Sequence, residues 1–346
     1  MTEIRDDQLE EGGGREHLLP HEEIERPTNV VQSDLSTSSM AVAGDGADMA
    51  LVYASGVELK ARSQWGYAMR RFFRHRLAMA GLVGFLFICL VAIFAEQIAP
   101  YPYDELDFNA LRIPPTTEGQ HYFGTDLLGR DFFSRVIYGI RTSLWVALLI
   151  TVLTTFIGTA VGAAAGYFGG IVDNALMRFT DLILTLPGLA VLLVASIYLG
   201  QGDPMRVAFI LACLFWTGIA RIVRGTFLSL REKEFVEAAK ASGAGDLRII
   251  VRHMLPNAVG PIIVSATLIV AAAILTEAAL SFLGFGIQPP TPALGVLIDD
   301  GRSEGLKFWW MVTFPGLVIV FIALCINFIG DGLRDALDPT QRRVRD

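Results

Sequence analysis

The chain has 346 residues, of which 53% are hydrophobic and only 18% are charged. Soluble domains are nearer a quarter charged, and a mean hydropathy of +0.49 excludes an ordinary cytosolic enzyme. The formal net charge of −7 divides unevenly along the chain. Residues 1–64 hold 13 acidic and 5 basic side chains, whereas residues 65–346 hold 22 and 23.

Residues 1–64 are polar as well as acidic. They contain no early apolar stretch, so we expect no cleavable signal peptide. Their composition, with Gly12-Gly13-Gly14 and a Ser/Thr run at 36–39, predicts a disordered cytoplasmic tail. A tail that binds a partner is the alternative.

Six hydrophobic runs follow this segment. A membrane-spanning helix needs roughly 20 apolar residues to cross about 30 Å of hydrocarbon. We therefore predict an all-α polytopic membrane protein with six transmembrane helices, whose membrane body is the functional unit. The runs lie near residues 77–99, 144–166, 175–199, 205–222, 261–285 and 309–330. The three cysteines fall inside them, which indicates packing and not a disulfide framework or a metal site.

Basic residues predict the orientation. A cluster of arginines precedes the first run, and such clusters stay on the cytoplasmic side. Six crossings then place both termini in the cytoplasm. From residue 65 onward, the predicted cytoplasmic segments hold 16 Lys and Arg, and the predicted external segments hold 7.

A glycine-containing motif ends the first external segment, about 100–142. Its glycines permit tight turns, and its last residue, Asp131, lies where a predicted helix from Phe132 to Leu144 begins, which suits the helix dipole. The motif consists of Gly124, Thr125, Asp126, Gly129, Arg130 and Asp131.

The second and third runs contain features that shape helices. Gly158, Gly162 and Gly166 lie four residues apart, on one helix face, and predict close approach of another helix. The pair Pro187-Gly188 predicts a bend in the third run.

The longest predicted cytoplasmic connection runs from about Arg224 to Pro261. Lys233–Ser242 has a strong helix-forming composition, and we predict that Gly243 and Gly245 end this helix. A second amphipathic stretch, Leu247–Met254, is predicted to end at Pro256. Two short helices would then form a compact knob. A solvated connecting loop is the alternative.

Two carboxylates fall inside hydrophobic runs. Charges in lipid are costly and usually face the bundle interior, so Asp181 and Glu277 either line a translocation path or pair with Ser, Thr or backbone groups between helices. Thr155 and Asn327 are weaker candidates for lining the path.

Three motifs, in order, resemble those of binding-protein-dependent ABC importer permeases, and in detail the C subunits of the oligopeptide and dipeptide branch. The first is the external motif. The second resembles the EAA loop of the family: Glu237-Ala238-Ala239, Gly243, then His253 and Leu255-Pro256. The third runs from Glu277 to Gly286 and is followed by Pro289-Pro290. Leu294 departs from the pattern, where a tryptophan is expected.

The resemblance implies a fold, a partition of the chain and a set of partners. The fold is the type I ABC importer permease (MetI-like) fold, with a tail at 1–64, a peptide-permease segment at 65–142, the transmembrane domain at 143–332 and a C-terminal tail at 333–346. The chain has no phosphate-binding GxxxxGK[ST] loop, so ATP and Mg²⁺ would be held by partners and this subunit would have no catalytic residue or cofactor. The implied partners are a homologous B-type permease, two ABC ATPase subunits, an external substrate-binding protein and the bilayer of the inner membrane, with no nucleic acid.

By the resemblance, Glu237–Gly243 seats in a groove of the ATPase, and His253 belongs to the same coupling surface. Arg130 and Asp131 either contact the binding protein or, as we favour, form salt bridges that fix the loop. Asp299 and Asp300 are expected in an external loop, where they touch the binding protein or solubilise the loop.

The expected cargo is di- or oligopeptides, and nickel, glutathione or another small solute is the alternative within the same class. A secondary carrier or channel without an ATPase belongs to another class. The EAA loop and the lack of an obvious inverted repeat argue against it. A membrane scaffold would need neither the buried carboxylates nor the helix-breaking proline.

Overall fold

A computed structural model describes residues 64–337 except Gln201 and Glu304. The predicted tail 1–64 lies outside the described residues apart from Gln64. The predicted C-terminal tail, 333–346, begins inside the last described helix, and its residues from 338 onward also lie outside.

Helices build the described part of the chain. They are α1 (Gln64–Arg74), α2 (Arg76–Ile93), α3 (Ala95–Ile98), α4 (Phe132–Phe168), α5 (Gly170–Thr185), α6 (Gly188–Leu199), α7 (Pro204–Arg231), α8 (Glu234–Ala241), α9 (Asp246–Phe282), α10 (Leu294–Arg302) and α11 (Trp309–Leu337). We call the end of the bundle where α8 lies the α8 end, and the end that carries residues 99–131 and α10 the opposite end.

Five helices, α2, α4, α7, α9 and α11, are long and apolar enough to cross a membrane. The pair α5 and α6 passes the same test together but is bent by 87°. The bend falls at Leu186, whose backbone is extended, and Pro187, which follows it. Proline has no N–H to donate and disfavours a helical residue before it. Five of the six predicted runs are thus confirmed as membrane-spanning helices, and the third corresponds to the pair α5 and α6, broken at the predicted bend.

Two predicted boundaries are wrong. The helix predicted from Phe132 to Leu144 and the span predicted near 144–166 form one helix, α4, of 37 residues, about 55 Å long. No proline interrupts it, so nothing in the backbone ends the first part. The first span ends at Ile93 and not near residue 99, because Phe94 leaves the helical conformation with φ −91° and ψ 24°.

The predicted helix end at Pro256 is also wrong, because α9 continues through it. Residues Ile249–Met254 form a π-helical turn, in which the N–H of Leu255 donates to the carbonyl of Ile250, five residues back. A π turn is wider than an α turn. The wider turn gives the Pro256 ring room beside the carbonyl four residues back, where it would otherwise clash.

The predicted glycine packing between helices is confirmed. A Cβ added at Gly162 would overlap the carbonyl oxygen of Ala220 on α7. Gly158 and Gly166 face α7 in the same way, with Ile219 and Phe227 as neighbours. Helices α4 and α7, which make the most extensive contact between any two helices of the described chain, therefore lie backbone to backbone. Because α8 follows α7 directly, the packing of α7 against α4 fixes where α8 lies.

Candidate functional site

Helix α8 is held to the bundle by one buried side chain. Val236 is fully buried and packs in a cluster with Phe227 of α7 and Ile249 and Met254 of α9. Ala239 is partly buried against the same cluster. Helix α8 is therefore packed against both α7, which precedes it, and α9, which follows it, and its other faces remain exposed.

The predicted helix stop after α8 is confirmed at Gly243. This glycine has φ +76°, a conformation that residues with a Cβ rarely adopt. The N–H of Gly243 donates to the carbonyl of Lys240 at 2.9 Å, and the N–H of Ala244 to that of Ala239 at 3.1 Å. These two bonds form a Schellman motif, which satisfies carbonyls that the helix end would leave open.

The residues of the EAA motif divide between two surfaces. Glu237, Ala238 and Gly243 are exposed on α8 and its turn. His253 and Leu255 are half-buried in α9, and Pro256 is exposed beside them. The part of the motif on α8 is thus exposed to solvent. In the part on α9, His253 and Leu255 are half-buried and join that helix to the core.

A second set of contacts ties the α8 turn to the end of α4. The hydroxyl of Tyr167 donates to Asp246 at 2.7 Å. The Lys240 ammonium lies 5.7 Å from the centre of the Tyr167 ring, within the range of a cation–π contact. Sequence reasoning missed Tyr167, because its partners lie more than 70 residues away along the chain and nothing near it signals the pairing.

Asp181 has a charged partner. It pairs with Arg221 of α7 at 2.6 Å, and the two side chains are 49% and 52% exposed. One turn nearer the α8 end, Arg224 contacts Asp173 of α5 through two nitrogens. These pairs join α5 to α7 on a face that the described chain leaves open. The role of Asp181 in a translocation path stays a prediction.

Glu277 is fully buried in α9. Its carboxylate accepts from the Ser281 hydroxyl at 2.8 Å and from the Ser143 hydroxyl of α4 at 3.0 Å. The Ser143 oxygen in turn accepts the N–H of Leu294, at the start of α10. Leu294, the residue that departs from the family pattern, is therefore buried where α4, α9 and α10 meet. The geometry favours a tie among three helices over a lining position.

The remaining path candidates lie on two different helices. The hydroxyl of Thr155 is buried on α4 and has no hydrogen-bond partner in the described part of the chain. Asn327 is exposed on α11. Among the described residues, no hydrogen bond or ion pair joins Thr155 or Asn327 to Asp181 or Glu277, and their place in a translocation path stays a prediction.

The external motif forms a dense polar network at the opposite end. Asp126 accepts the N–H groups of Leu128 and Arg130 at 2.8 and 2.9 Å. The same carboxylate pairs with the Arg130 side chain at 2.7 Å and with Arg135 at 2.6 Å. Asp126 thus stabilises the turn in which it lies and, through Arg135, ties that turn to the first turn of α4.

Arg135 is the largest fully buried side chain of the described residues, and it also pairs with Asp300 of α10 at 3.1 Å. The expectation for Asp299 and Asp300 needs correction on this point. Both lie in a helix and not in a loop, and Asp300 compensates a buried guanidinium. A buried charge needs such partners, because its desolvation is costly.

Asp131 caps α4, in line with its predicted position. Its carboxylate accepts the backbone N–H and the hydroxyl of Ser134, both at 2.7 Å. The other oxygen lies 2.9 Å from Nδ1 of His121. The favoured prediction, that this segment fixes the loop, agrees with these bonds, although Asp131 contributes through a cap and Arg130 through an ion pair.

The motif glycines are needed where the backbone is crowded. Gly129 has φ +78°, and an added Cβ would overlap the carbonyl of Asp107. Gly124 has φ +77°, and its added Cβ would meet the Ile113 carbonyl at 2.5 Å. The hydroxyl of Thr125 accepts the N–H of Ile113 at 2.8 Å. The motif therefore specifies a compact turn.

Comparison with known proteins identifies the class. Residues 158–343 match the family model of the binding-protein-dependent transport system inner membrane component. Residues 63–115 match the N-terminal TM domain of oligopeptide transport permease C. The chain belongs to the family of binding-protein-dependent inner membrane transport components. Together with the membrane-spanning helices, this membership confirms the predicted fold class, an all-α polytopic permease of the ABC importer type.

Several relatives have assigned names. The oligopeptide transport system permease protein OppC of Mycobacterium tuberculosis (strain ATCC 25618 / H37Rv) is 44% identical over 80% of this chain and 95% of its own length. OppC of Escherichia coli (strain K12) is 41% identical over 84% and 96%. The dipeptide transport system permease protein DppC of Bacillus subtilis (strain 168) is 40% identical over 80% and 86%. The solved methionine ABC transporter MetNI, in an inward-facing conformation, is 18% identical with a TM-score of 0.44, over 59% of this chain and 96% of the other.

Proposed function

We propose that this chain is the transmembrane permease subunit of an ATP-driven importer of di- or oligopeptides in the inner membrane. It would form half of the translocation path beside a homologous B-type permease. The relatives named for oligopeptide and dipeptide transport support this cargo class. Two ABC ATPase subunits would supply ATP hydrolysis and hold the nucleotide and Mg²⁺.

The observation that carries the proposal is the exposed, anchored helix α8. Its motif residues Glu237 and Ala238 face outward, while Val236 fixes the helix to α7 and α9. A partner that moved α8 would therefore move both long helices with it. We infer that α8 seats on an ATPase subunit and that closure of two ATPases rocks the helices between inward-open and outward-open states.

The proposal also sets the orientation. The α8 end is the cytoplasmic end, with both termini on that side, and residues 99–131 and α10 face an external substrate-binding protein. The excess of Lys and Arg in the segments of the α8 end supports this assignment.

The coupling role is tested by two substitutions at α8. Glu237→Lys reverses an exposed charge and leaves Val236 in place, and Gly243→Pro places a fixed negative φ where the turn has +76°. We expect both variants to lose co-purification with the ATPases and to lose ATP-dependent peptide uptake. Glu118→Lys, an exposed charge reversal at the opposite end, is the control and should keep its ATPases.

Wild-type uptake and ATPase recovery in Glu237→Lys would contradict the coupling role. Recovery of the wild-type chain without any ATPase, together with flux independent of ATP, would contradict the importer itself. Uptake of nickel or glutathione and not of peptides would leave the coupling role intact and correct the cargo.

A further inference from the structure

Helix α1 has three distinct faces. One face is fixed to the bundle by Phe72, which is buried in a cluster with Ala78 of α2 and Ala336 of α11. The contact is close, since a Cβ added at Gly332 of α11 would lie 3.3 Å from the Phe72 ring. The buried face therefore determines which way the other two faces point.

The second face is apolar and exposed. Met69 and Phe73, four residues apart on α1, are 55% and 56% exposed. Exposed apolar side chains continue on α2, at Leu77, Val83 and Leu86. Since α2 crosses the membrane, the apolar face of α1 adjoins a surface that lipid covers.

The third face is basic. Arg70 and Arg74, four residues apart, are exposed, and exposed Arg76 begins α2. Within residues 64–337, no carboxylate lies at ion-pair distance from any of these three arginines. The positive charge of this face is therefore not balanced by the described protein.

The depth of α1 follows from its partner helix. Gly332 is 23 residues beyond Trp309, the first residue of α11, hence about 35 Å along the helix axis. The hydrocarbon core is about 30 Å thick. His75, with extended backbone at φ −83° and ψ 103°, separates α1 from α2. With the hydrocarbon core beginning at Trp309, Gly332 lies about 5 Å beyond its far edge, and we place α1 near the level where hydrocarbon meets headgroups.

We propose that α1 is an interfacial helix that binds anionic phospholipid, with the headgroup phosphate on Arg70 and Arg74 and the acyl chains against Met69 and Phe73. A helix with one apolar and one basic face is suited to this plane, and the long arginine stems let the charges reach the headgroups. The proposal depends on neither the cargo nor the ATPase contact of α8. Residues 1–64 carry a net charge of −8 and are therefore the alternative partner for the basic face. The experiment includes this alternative as an outcome.

The test uses the full chain in phosphatidylcholine nanodiscs that contain increasing phosphatidylglycerol, with bound lipid counted by native mass spectrometry. We expect Arg70→Gln/Arg74→Gln to lose about tenfold or more of the apparent affinity for phosphatidylglycerol. The control is Arg248→Gln/Arg252→Gln, which removes two exposed arginines, also four residues apart, at the same end. The control should keep wild-type affinity.

Two further arms make the proposal falsifiable. Phe73→Ser should lower lipid binding with the charges intact, and inorganic phosphate should not compete at millimolar concentration. Equal losses in both arginine pairs would overturn the proposal, because bulk charge would then explain the binding. Unchanged affinity in Arg70→Gln/Arg74→Gln would also overturn it, whether the acidic segment covers α1 or the lipid binds elsewhere.

Discussion

Buried Arg135 shows how a single residue joins distant parts of this permease. Its guanidinium connects Asp126, in the turn before α4, to Asp300 on α10, which lies 165 residues beyond Arg135 along the chain. Asp126 also pairs with Arg130, so two positive and two negative side chains share one location. The balance of charge makes the burial of Arg135 tolerable.

Loss of Arg135 should therefore be costly. We expect Arg135→Leu to lower the free energy of unfolding by about 3 kcal/mol, because Asp126 and Asp300 would lose a buried partner. Thermal unfolding of the purified chain in detergent measures this.

The matched control is Arg141→Leu on the same helix. Arg141 pairs with Glu96, and both side chains are largely exposed, so its loss should cost less than about 1 kcal/mol. Equal effects of the two substitutions would mean that the buried pair contributes no more than a surface pair.

At the scale of elements, the packing of α4 against α7 depends on glycines that leave no room for a side chain. Gly158, Gly162 and Gly166 each place backbone or Cβ atoms of α7 within 3.0 Å of an added Cβ. Small residues of this kind let two membrane helices gain close van der Waals contact. Gly218, on α7 itself, has nothing within 4 Å of an added Cβ.

The two kinds of glycine should respond differently to the same change. We expect Gly162→Ala to destabilise the chain by about 1–3 kcal/mol through overpacking. Gly218→Ala should be neutral or slightly stabilising, because alanine is the better helix former. Thermal unfolding compares them directly, and a similar loss at both positions would contradict the close packing.

At the scale of the whole molecule, charge and hydropathy divide the chain. The net charge of −7 comes from residues 1–64, and the remaining residues are nearly neutral. The basic residues of that remainder gather toward the α8 end, which underlies the proposed orientation.

Cysteine labelling tests this orientation. In spheroplasts, a membrane-impermeant maleimide should label Glu118→Cys, and it should label Glu234→Cys only after permeabilisation. Both positions are exposed, and the native cysteines lie inside the membrane-spanning helices, so the unsubstituted chain is the control. The opposite labelling pattern would reverse the assignment of the two ends.

Much of the fold could be predicted from the sequence because its signals are local. Apolar runs located the spans, glycines at four-residue spacing predicted a closely packed face on α4 without identifying α7 as its partner, and Gly243 marked the end of α8. Arg135 with Asp300 and Tyr167 with Asp246 could not be predicted, because each pair is distant along the chain and no local pattern connects its members. The wrong prediction of a helix end at Pro256 has a related cause, since the π turn that accommodates this proline has no local sequence signature.

The continuity of α9 has a mechanical consequence. From Asp246, beside α8, to Glu277, in the three-helix junction, the chain runs through one helix of about 47 Å without leaving the helical conformation. Because one helix connects the two places, we expect a tilt imposed beside α8 to reach the junction at Glu277. Two irregular positions of α9 lie near α8, the π turn at Ile249–Met254 and Pro261, which has no N–H to donate. We therefore expect bending of α9 to concentrate between residues 249 and 261, while the segment beyond them moves as one body.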